Sequence, residues 1–570
     1  MTNRKLRAVQ ISSIIFFNAL LFISWTLHYE PVKSILSEAP FVDLYVQYKL
    51  SQQDNLESYI TPAQNKIDVI HYDINIELFP EKKMIKGDVT IKGVLLDASL
   101  KKLDLNFYEN MEIKKLMFNG KAREFEQNET RLSIPIDHAT QDTFTVRVVY
   151  EGSPKKLGFG SFVFSEFNGR PVTYTLSEPV YASTWYPCND KPDDKALMDI
   201  SITNDSSQVS VSNGRLMDVK TVGKRRTYHW KTFYPITTYL ICIYSADYRH
   251  FNEEYTSAQN ETMNIDYYAF PDHLDMAQND FKGHPEMIRY FSGLFGEYPF
   301  IREKYGVAEF LWQMGAMEHQ TITGIGSNFL NGRRFFNEFY IHELAHQWFG
   351  DAVSPATWKD IWLNEGFASY CEALYAEHES GPSAYRSTML SKFQSNFSGT
   401  LYSPQSGLFS NTVYDKGAWV MHMLRWELSD SLFFSSLRKY YEAFKYKSAT
   451  TNDFIKVCEN ESHKDLSCFF RQWVFEGESN IKLAYTWEDK PSGNNSHLLR
   501  LKVRQEQQGY EAFRFPLQIS IRTEGEGKEL RKTVYVDRRE QNFELRLERP
   551  VKGVTMDPDG WLLASFRKEQ

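Results

Sequence analysis

In Asn337-Glu-Phe-Tyr-Ile-His-Glu-Leu-Ala-His346 two histidines, His342 and His346, stand four residues apart. On a helix that spacing sets them about 40° apart on one face, one turn above the other, so both imidazoles can reach one ion. Glu365 lies in a second run, Ile361-Trp-Leu-Asn-Glu-Gly-Phe-Ala-Ser-Tyr-Cys-Glu-Ala-Leu374, where Ile361, Trp362, Leu363, Phe367 and Ala368 are apolar. A glutamate is ordinarily a solvated helix charge, but among such neighbours an unpartnered carboxylate is costly. The second helix is therefore expected to pack on the first and turn Glu365 inward. Two neutral imidazoles and a carboxylate, with a fourth position left to water, make a catalytic zinc set, so one Zn2+ per chain is expected. Glu343 sits about 100° around the helix from His342, beside the open position. It suits a general base that takes a proton from zinc-activated water and returns it to a leaving amine. Glu372, seven residues after Glu365 on the same helix face, is a candidate partner for a zinc histidine; a surface role is the other reading.

The elements that must position these groups follow from periodicity. Tyr72, Ile74, Ile76 and Leu78 alternate, as do Val89 and Ile91, then Phe144, Val146 and Val148, which reads as a β-rich N-terminal domain over 65–251. After Pro271 the spacing becomes helical to about Glu478, interrupted by a strand-like run at Tyr305 to Phe310. This is the α-rich catalytic domain, 252–478. Alternation returns at Leu499, Leu501 and Val503, at Phe513 to Ile521, and at Phe543, Leu545 and Leu547, predicting a C-terminal β-sandwich over 479–570. The fold class is multidomain α+β, as 570 residues exceed one hydrophobic core.

Bulk composition excludes some roles. The 65 basic and 73 acidic residues give a net charge of −8 with no basic block, so nucleic acid is not a partner. The 41 Phe and 33 Tyr argue against long disorder. Five cysteines without a C-x-x-C give neither a disulfide scaffold nor a thiolate metal site; a single Cys458 to Cys468 bridge is one reading, and small buried residues are the plainer one. The chain opens Met1-Thr-Asn-Arg-Lys-Leu-Arg, and residues 8–27 carry no charge. Twenty such residues span a bilayer as a helix, and Trp25-Thr-Leu-His-Tyr29 offers no small-x-small cleavage site, so an uncleaved anchor is preferred over a signal peptide. Arg4, Lys5 and Arg7 stay cytoplasmic by the positive-inside rule, which puts the catalytic part on the periplasmic or exterior side. Residues 1–28 are then start and anchor, and 29–64, punctuated by Pro31, Pro40 and Pro62, a tether.

With these residues in hand, the sequence resembles the gluzincin aminopeptidases, the family of aminopeptidase N and leukotriene hydrolase. The likeness rests on His342-Glu-Leu-Ala-His-Gln-Trp-Phe-Gly350, eighteen residues between His346 and Glu365, then Asn364-Glu-Gly-Phe-Ala368. It extends to Gly315-Ala-Met-Glu318, Tyr414-Asp-Lys-Gly417, Glu178-Pro and Trp185-Tyr-Pro-Cys-Asn-Asp-Lys-Pro192. It implies a thermolysin-like catalytic domain. It further implies that Glu318, with Glu178, binds the substrate's free α-ammonium, that Gly315, Ala316 and Met317 border the substrate, and that Tyr414 hydrogen-bonds the oxyanion of the tetrahedral intermediate. Carboxylates at a fixed distance from the metal would measure one residue from the amino terminus. On its own Tyr414 reads as a packed aromatic. The family's usual Gly-Ala-Met-Glu-Asn ends here in His319, which is expected to keep the strand geometry while adding a group able to titrate near neutrality beside the amine. No long helical C-terminal domain of the kind common in the family is expected after the β domain, and a more open site is expected with it.

The leading expectation is a membrane-anchored zinc aminopeptidase acting on peptides with a free N-terminus. A thermolysin-type endopeptidase would share the ligands without needing an amine clamp, and an idle peptide-binding relative would be expected to lose His342, Glu343, His346, Glu365 or Tyr414. Epoxide hydrolysis, the family's other chemistry, has no separate support. The apolar run Phe310-Leu-Trp-Gln-Met-Gly315 favours neutral N-terminal side chains.

Overall fold

Alternating Tyr72, Ile74, Ile76 and Leu78 build the long strand β1 (Ile67–Phe79), and all four side chains are buried. In the computed structural model, which describes residues 56, 59–136, 142–493, 496–525 and 529–569, this strand lies near the middle of an eight-stranded sheet. Its hairpin partner β2 (Met84–Leu95) sets Ile91 opposite Tyr72 and Val89 opposite Ile74. The strand Thr143–Gly152 continues those rows with Val146 and Val148. On the other side β3 (Leu197–Asp205) runs parallel to β1, with Ile200 beside Ile74. A one-residue slip would turn every row to solvent, so one buried face fixes the register. Gly87 interrupts β2 because the Tyr150 ring crosses it; a Cβ there would come within 2.1 Å of that ring.

Residues 8–27, read as the anchor, and most of the tether lie outside the described residues; among those described, no helix is long and apolar enough to cross a membrane. At the end of the tether, Gln64 is fully buried and its amide donates to Asn106 Oδ1 (2.5 Å) and Asn189 Oδ1 (3.0 Å).

A five-stranded sheet follows, in the order Arg249–Thr256, Thr262–Ala269, β4 (Tyr305–Phe310), Thr323–Gly326 and, at the edge, β5 (Ala316–Met317). The run read as a strand within helical surroundings is β4, wholly buried. Helices occupy Leu274–Asp280 through Ser467–Phe470, among them α1 (Asn337–His346), α2 (Trp362–Ser380) and α3 (Gly417–Leu428). The chain closes on a four-stranded and a three-stranded sheet built from Ile481 to Lys568. Leu499, Leu501, Val503 and Phe513 to Ile521 at alternate positions are buried there. All five cysteines are free, so no Cys458 to Cys468 bridge forms.

Candidate active site

Helix α1 is covered on most sides, with Tyr340 through His346 all buried, and α2 is buried continuously from Trp362 to Cys371. Two such helices can pack only if their polar groups find one another. Glu365 Oε2 lies 3.2 Å from His342 Nε2 and 3.3 Å from His346 Nε2. Ligands about 2.05 Å from a tetrahedral zinc are spaced roughly 3.3 Å apart, so the three atoms mark edges of such a coordination shell. The far nitrogens are already used. His342 Nδ1 donates to Glu372 Oε1 at 2.8 Å, and His346 Nδ1 donates to the Phe349 carbonyl at 3.1 Å. Both Nε2 lone pairs are thereby left for a metal, and the residues fit one zinc ion. The chain leaves α1 through Gly350 at φ +139°, where a Cβ would approach His346 Nδ1 to 3.0 Å; the glycine of the motif is required by that turn. Burial lowers His342, yet Glu365 and Glu372 outweigh it and raise the imidazole to about 9. A dication in place of that proton answers the same negative charge.

Four buried carboxylates converge here. Oxygens of Glu178, Glu318 and Glu365 lie within 4.8 Å of one another, as do Glu318, Glu343 and His346. Burial first, and then the neighbouring carboxylates, push Glu178 and Glu343 well above the usual carboxylate range. Glu178 Oε1 and Glu318 Oε1 are buried without a hydrogen-bond partner. Buried acceptors left in that state cost free energy unless a donor enters the pocket.

Glu318 follows directly on β5, whose Ala316 and Met317 pair with Ile325 and Gly324. Gly315 enters that strand, its carbonyl accepting from Gly326 N–H at 3.1 Å. Composition and spacing gave no reason to single out Gln347, the residue after the second ligand. It is fully buried; Nε2 donates to the Glu318 carbonyl (3.2 Å) and Asp351 Oδ2 (2.6 Å), while Oε1 accepts from Thr321 N–H (2.8 Å). It ties α1 to the loop bearing Glu318. An amide amid His346, Trp348 and Phe349 was the available signal, since a buried glutamine needs partners.

The expectation that His319 titrates near neutrality is corrected. Its side chain is wholly buried, Nδ1 pairs with the Tyr244 hydroxyl at 2.6 Å, and burial pushes it down to about 3. It stays neutral and serves packing.

Tyr414 lies in a π-helical turn, Thr412–Lys416, leading into α3. Its ring stacks on His342 with centroids 5.8 Å apart and 20° between planes. Burial, followed by Glu365, Glu178 and Glu318, raises its phenol well above the ordinary value, so it remains a hydrogen-bond donor.

Residues 280–473 match the peptidase family M1 domain, and residues 69–240 match the peptidase M1 N-terminal domain. The chain belongs to the peptidase M1 family. It has that family's multidomain fold, with a β-rich N-terminal domain and a helical catalytic domain. Probable aminopeptidase 1 of Sulfurisphaera tokodaii is 23% identical over 387 residues, covering 64% of this chain and 48% of that protein. Endoplasmic reticulum aminopeptidase 1 of Homo sapiens is 26% identical over 386 residues, covering 60% and 40%. The chain thus spans about half the length of the curated relatives it matches. Legionella pneumophila aminopeptidase A, solved with aspartic acid, superposes with a TM-score of 0.78 at 20% identity, over 89% of this chain and 60% of that one. A Deinococcus radiodurans M1 zinc metallopeptidase variant, solved with a Tyr-Ser-Ala substrate, gives 0.64 at 24%, over 73% and 96%.

Proposed function

We propose that this M1 family member is a membrane-anchored zinc aminopeptidase that removes single residues from the amino terminus of peptides. The observation that carries the reading is the pair of buried, unpartnered oxygens on Glu178 and Glu318, close to Glu365 of the zinc set. An α-ammonium answers them, and one residue's length then brings the first peptide carbonyl to the metal. When bound, zinc supplies Lewis-acid polarisation and makes water acidic enough to act near neutral pH. Glu343 takes the proton from the attacking water and hands it to the leaving amine. The Tyr414 hydroxyl donates to the developing oxyanion. Gly315, Ala316 and Met317, at the sheet edge, offer backbone groups to an extended peptide. The two closing sheets are read as a sandwich. Residues 8–27 hold the chain in the membrane, with the catalytic part on the periplasmic or exterior side.

Hydrolysis of amino-acid arylamides, abolished by a chelator and restored by zinc, is the expected result. A free peptide should be cut and its N-acetylated form resist; efficient cleavage of the blocked peptide would exclude the ammonium clamp and leave a thermolysin-type endopeptidase. Glu318→Gln should lower kcat/KM by roughly 10²-fold, as losing one partner of a buried charge pair costs about 2–5 kcal/mol. An unchanged kcat/KM would take Glu318 out of the clamp.

A further inference from the structure

We infer that residues 392–394 form a positioning element behind the metal site, with Lys392 setting the zinc ligand His342 through Glu372 and Gln394 setting Tyr414 through Asp415. The inference rests on the zinc aminopeptidase reading.

The helix Pro382–Ser391 ends at Lys392, whose side chain turns into the protein and is only 8% exposed as a residue. Its Nζ lies 2.6 Å from Glu372 Oε2, while Glu372 Oε1 accepts from His342 Nδ1 at 2.8 Å. Lysine and imidazole therefore take one oxygen each, and the carboxylate is held from both ends. That fixes the plane in which His342 presents Nε2. It also offsets a charge that would otherwise lie buried next to a site already rich in carboxylates. Without the lysine, Glu372 is free to swing from the imidazole and its charge stands uncompensated.

Two residues on, Gln394 Nε2 donates to Asp415 Oδ2 at 3.0 Å. Asp415 follows Tyr414 directly in the π-helical turn, so this bond restrains the turn that presents the phenol. Gln394 is itself held from the start of the closing sheets, its carbonyl accepting from Asn480 Nδ2 at 2.6 Å. One short segment thus reaches the metal ligand by one route and the phenol by another. The two routes share no hydrogen bond, so loss of the Gln394 bond should be separable from loss of the lysine.

The test measures zinc affinity of the full chain in detergent, by competition with a chromophoric chelator, alongside kcat and KM at saturating zinc. Lys392→Met is expected to weaken zinc binding about tenfold, the lower end of what outer partners of metal ligands supply. Lys392→Arg should recover most of that loss. Gln394→Ala should leave the zinc dissociation constant within about twofold of wild type and lower kcat several-fold with KM little changed. If Lys392→Met does not fold, Lys392→Gln, which keeps a donor without the charge, carries the same measurement. Unchanged zinc affinity in Lys392→Met or Lys392→Gln, or the same shift in zinc affinity from Gln394→Ala, overturns the inference. Because zinc binding is read without substrate, a wild-type chain that binds zinc but cleaves no arylamide refutes the aminopeptidase reading instead.

Discussion

Glu343→Gln is expected to reduce kcat on an amino-acid arylamide by about 10²–10⁴-fold, the span usual for a lost general acid–base group, with zinc still bound. The substitution keeps shape and burial but removes the proton acceptor. Metal retention is the informative half of the experiment, because two donor groupings share His346. His342, His346 and Glu365 form one, and Glu318, Glu343 and His346 form another. The first is favoured as the zinc set because it supplies two imidazoles whose Nδ1 atoms are already engaged. It also places a carboxylate oxygen 3.2 and 3.3 Å from the two Nε2 atoms. The second grouping is two carboxylates and one nitrogen, a harder and less zinc-like set. If Glu343 were a ligand, its amide would bind poorly and the purified variant would lose metal along with turnover. Metal analysis and steady-state kinetics on one preparation separate the cases. Full activity in Glu343→Gln would remove the residue from proton transfer altogether.

How much of this was legible beforehand depended on whether a residue's reason is local. His342 and His346 declare themselves because helical spacing alone puts them on one face, and Glu365 because its apolar neighbours make an unpaired charge expensive. The rows Tyr72, Ile74, Ile76 and Val89, Ile91 were readable because one face of a sheet is buried at period two, and they are buried. Tyr414 was not readable from its surroundings. Its position beside His342 is made by a turn closing over α1 from more than sixty residues away, and only the resemblance pointed to it. His319 departs from expectation for a related reason: its sequence position beside Glu318 points to the amine site, whereas its side chain pairs with Tyr244 and lies fully buried. Gln347, Lys392 and Gln394 carry no motif meaning in themselves and acquire one only through partners distant in sequence.

The glycine in Asn364-Glu-Gly366 and that in Tyr414-Asp-Lys-Gly417 gain a shared meaning from the fold, and the second large effect is expected there. Gly366 in α2 and Gly417 at the start of α3 meet face to face. A Cβ on Gly366 would fall 2.9 Å from Gly417 Cα, and one on Gly417 would fall 2.7 Å from Gly366 Cα. Both obstacles are backbone, so neither can rotate aside. Local propensity predicts the opposite outcome, since alanine is better than glycine inside a helix by about 0.8–1.0 kcal/mol. The sign of the change therefore decides which effect wins. Overpacking a tight contact costs about 1–3 kcal/mol, which exceeds the propensity gain at most of that range, so Gly366→Ala should lower rather than raise the melting temperature. Parting the helices also separates Glu365, one residue before Gly366, from Tyr414, three before Gly417. A misplacement of about 1 Å is worth roughly 10² in rate, and kcat at saturating zinc should fall on that order. The double substitution should cost less than the sum of the two singles, because helices already parted by one methyl accommodate the second. Thermal unfolding and arylamide kinetics on the three variants check this, and a raised melting temperature with undiminished kcat would show that the contact is looser than the 2.7 and 2.9 Å approaches imply.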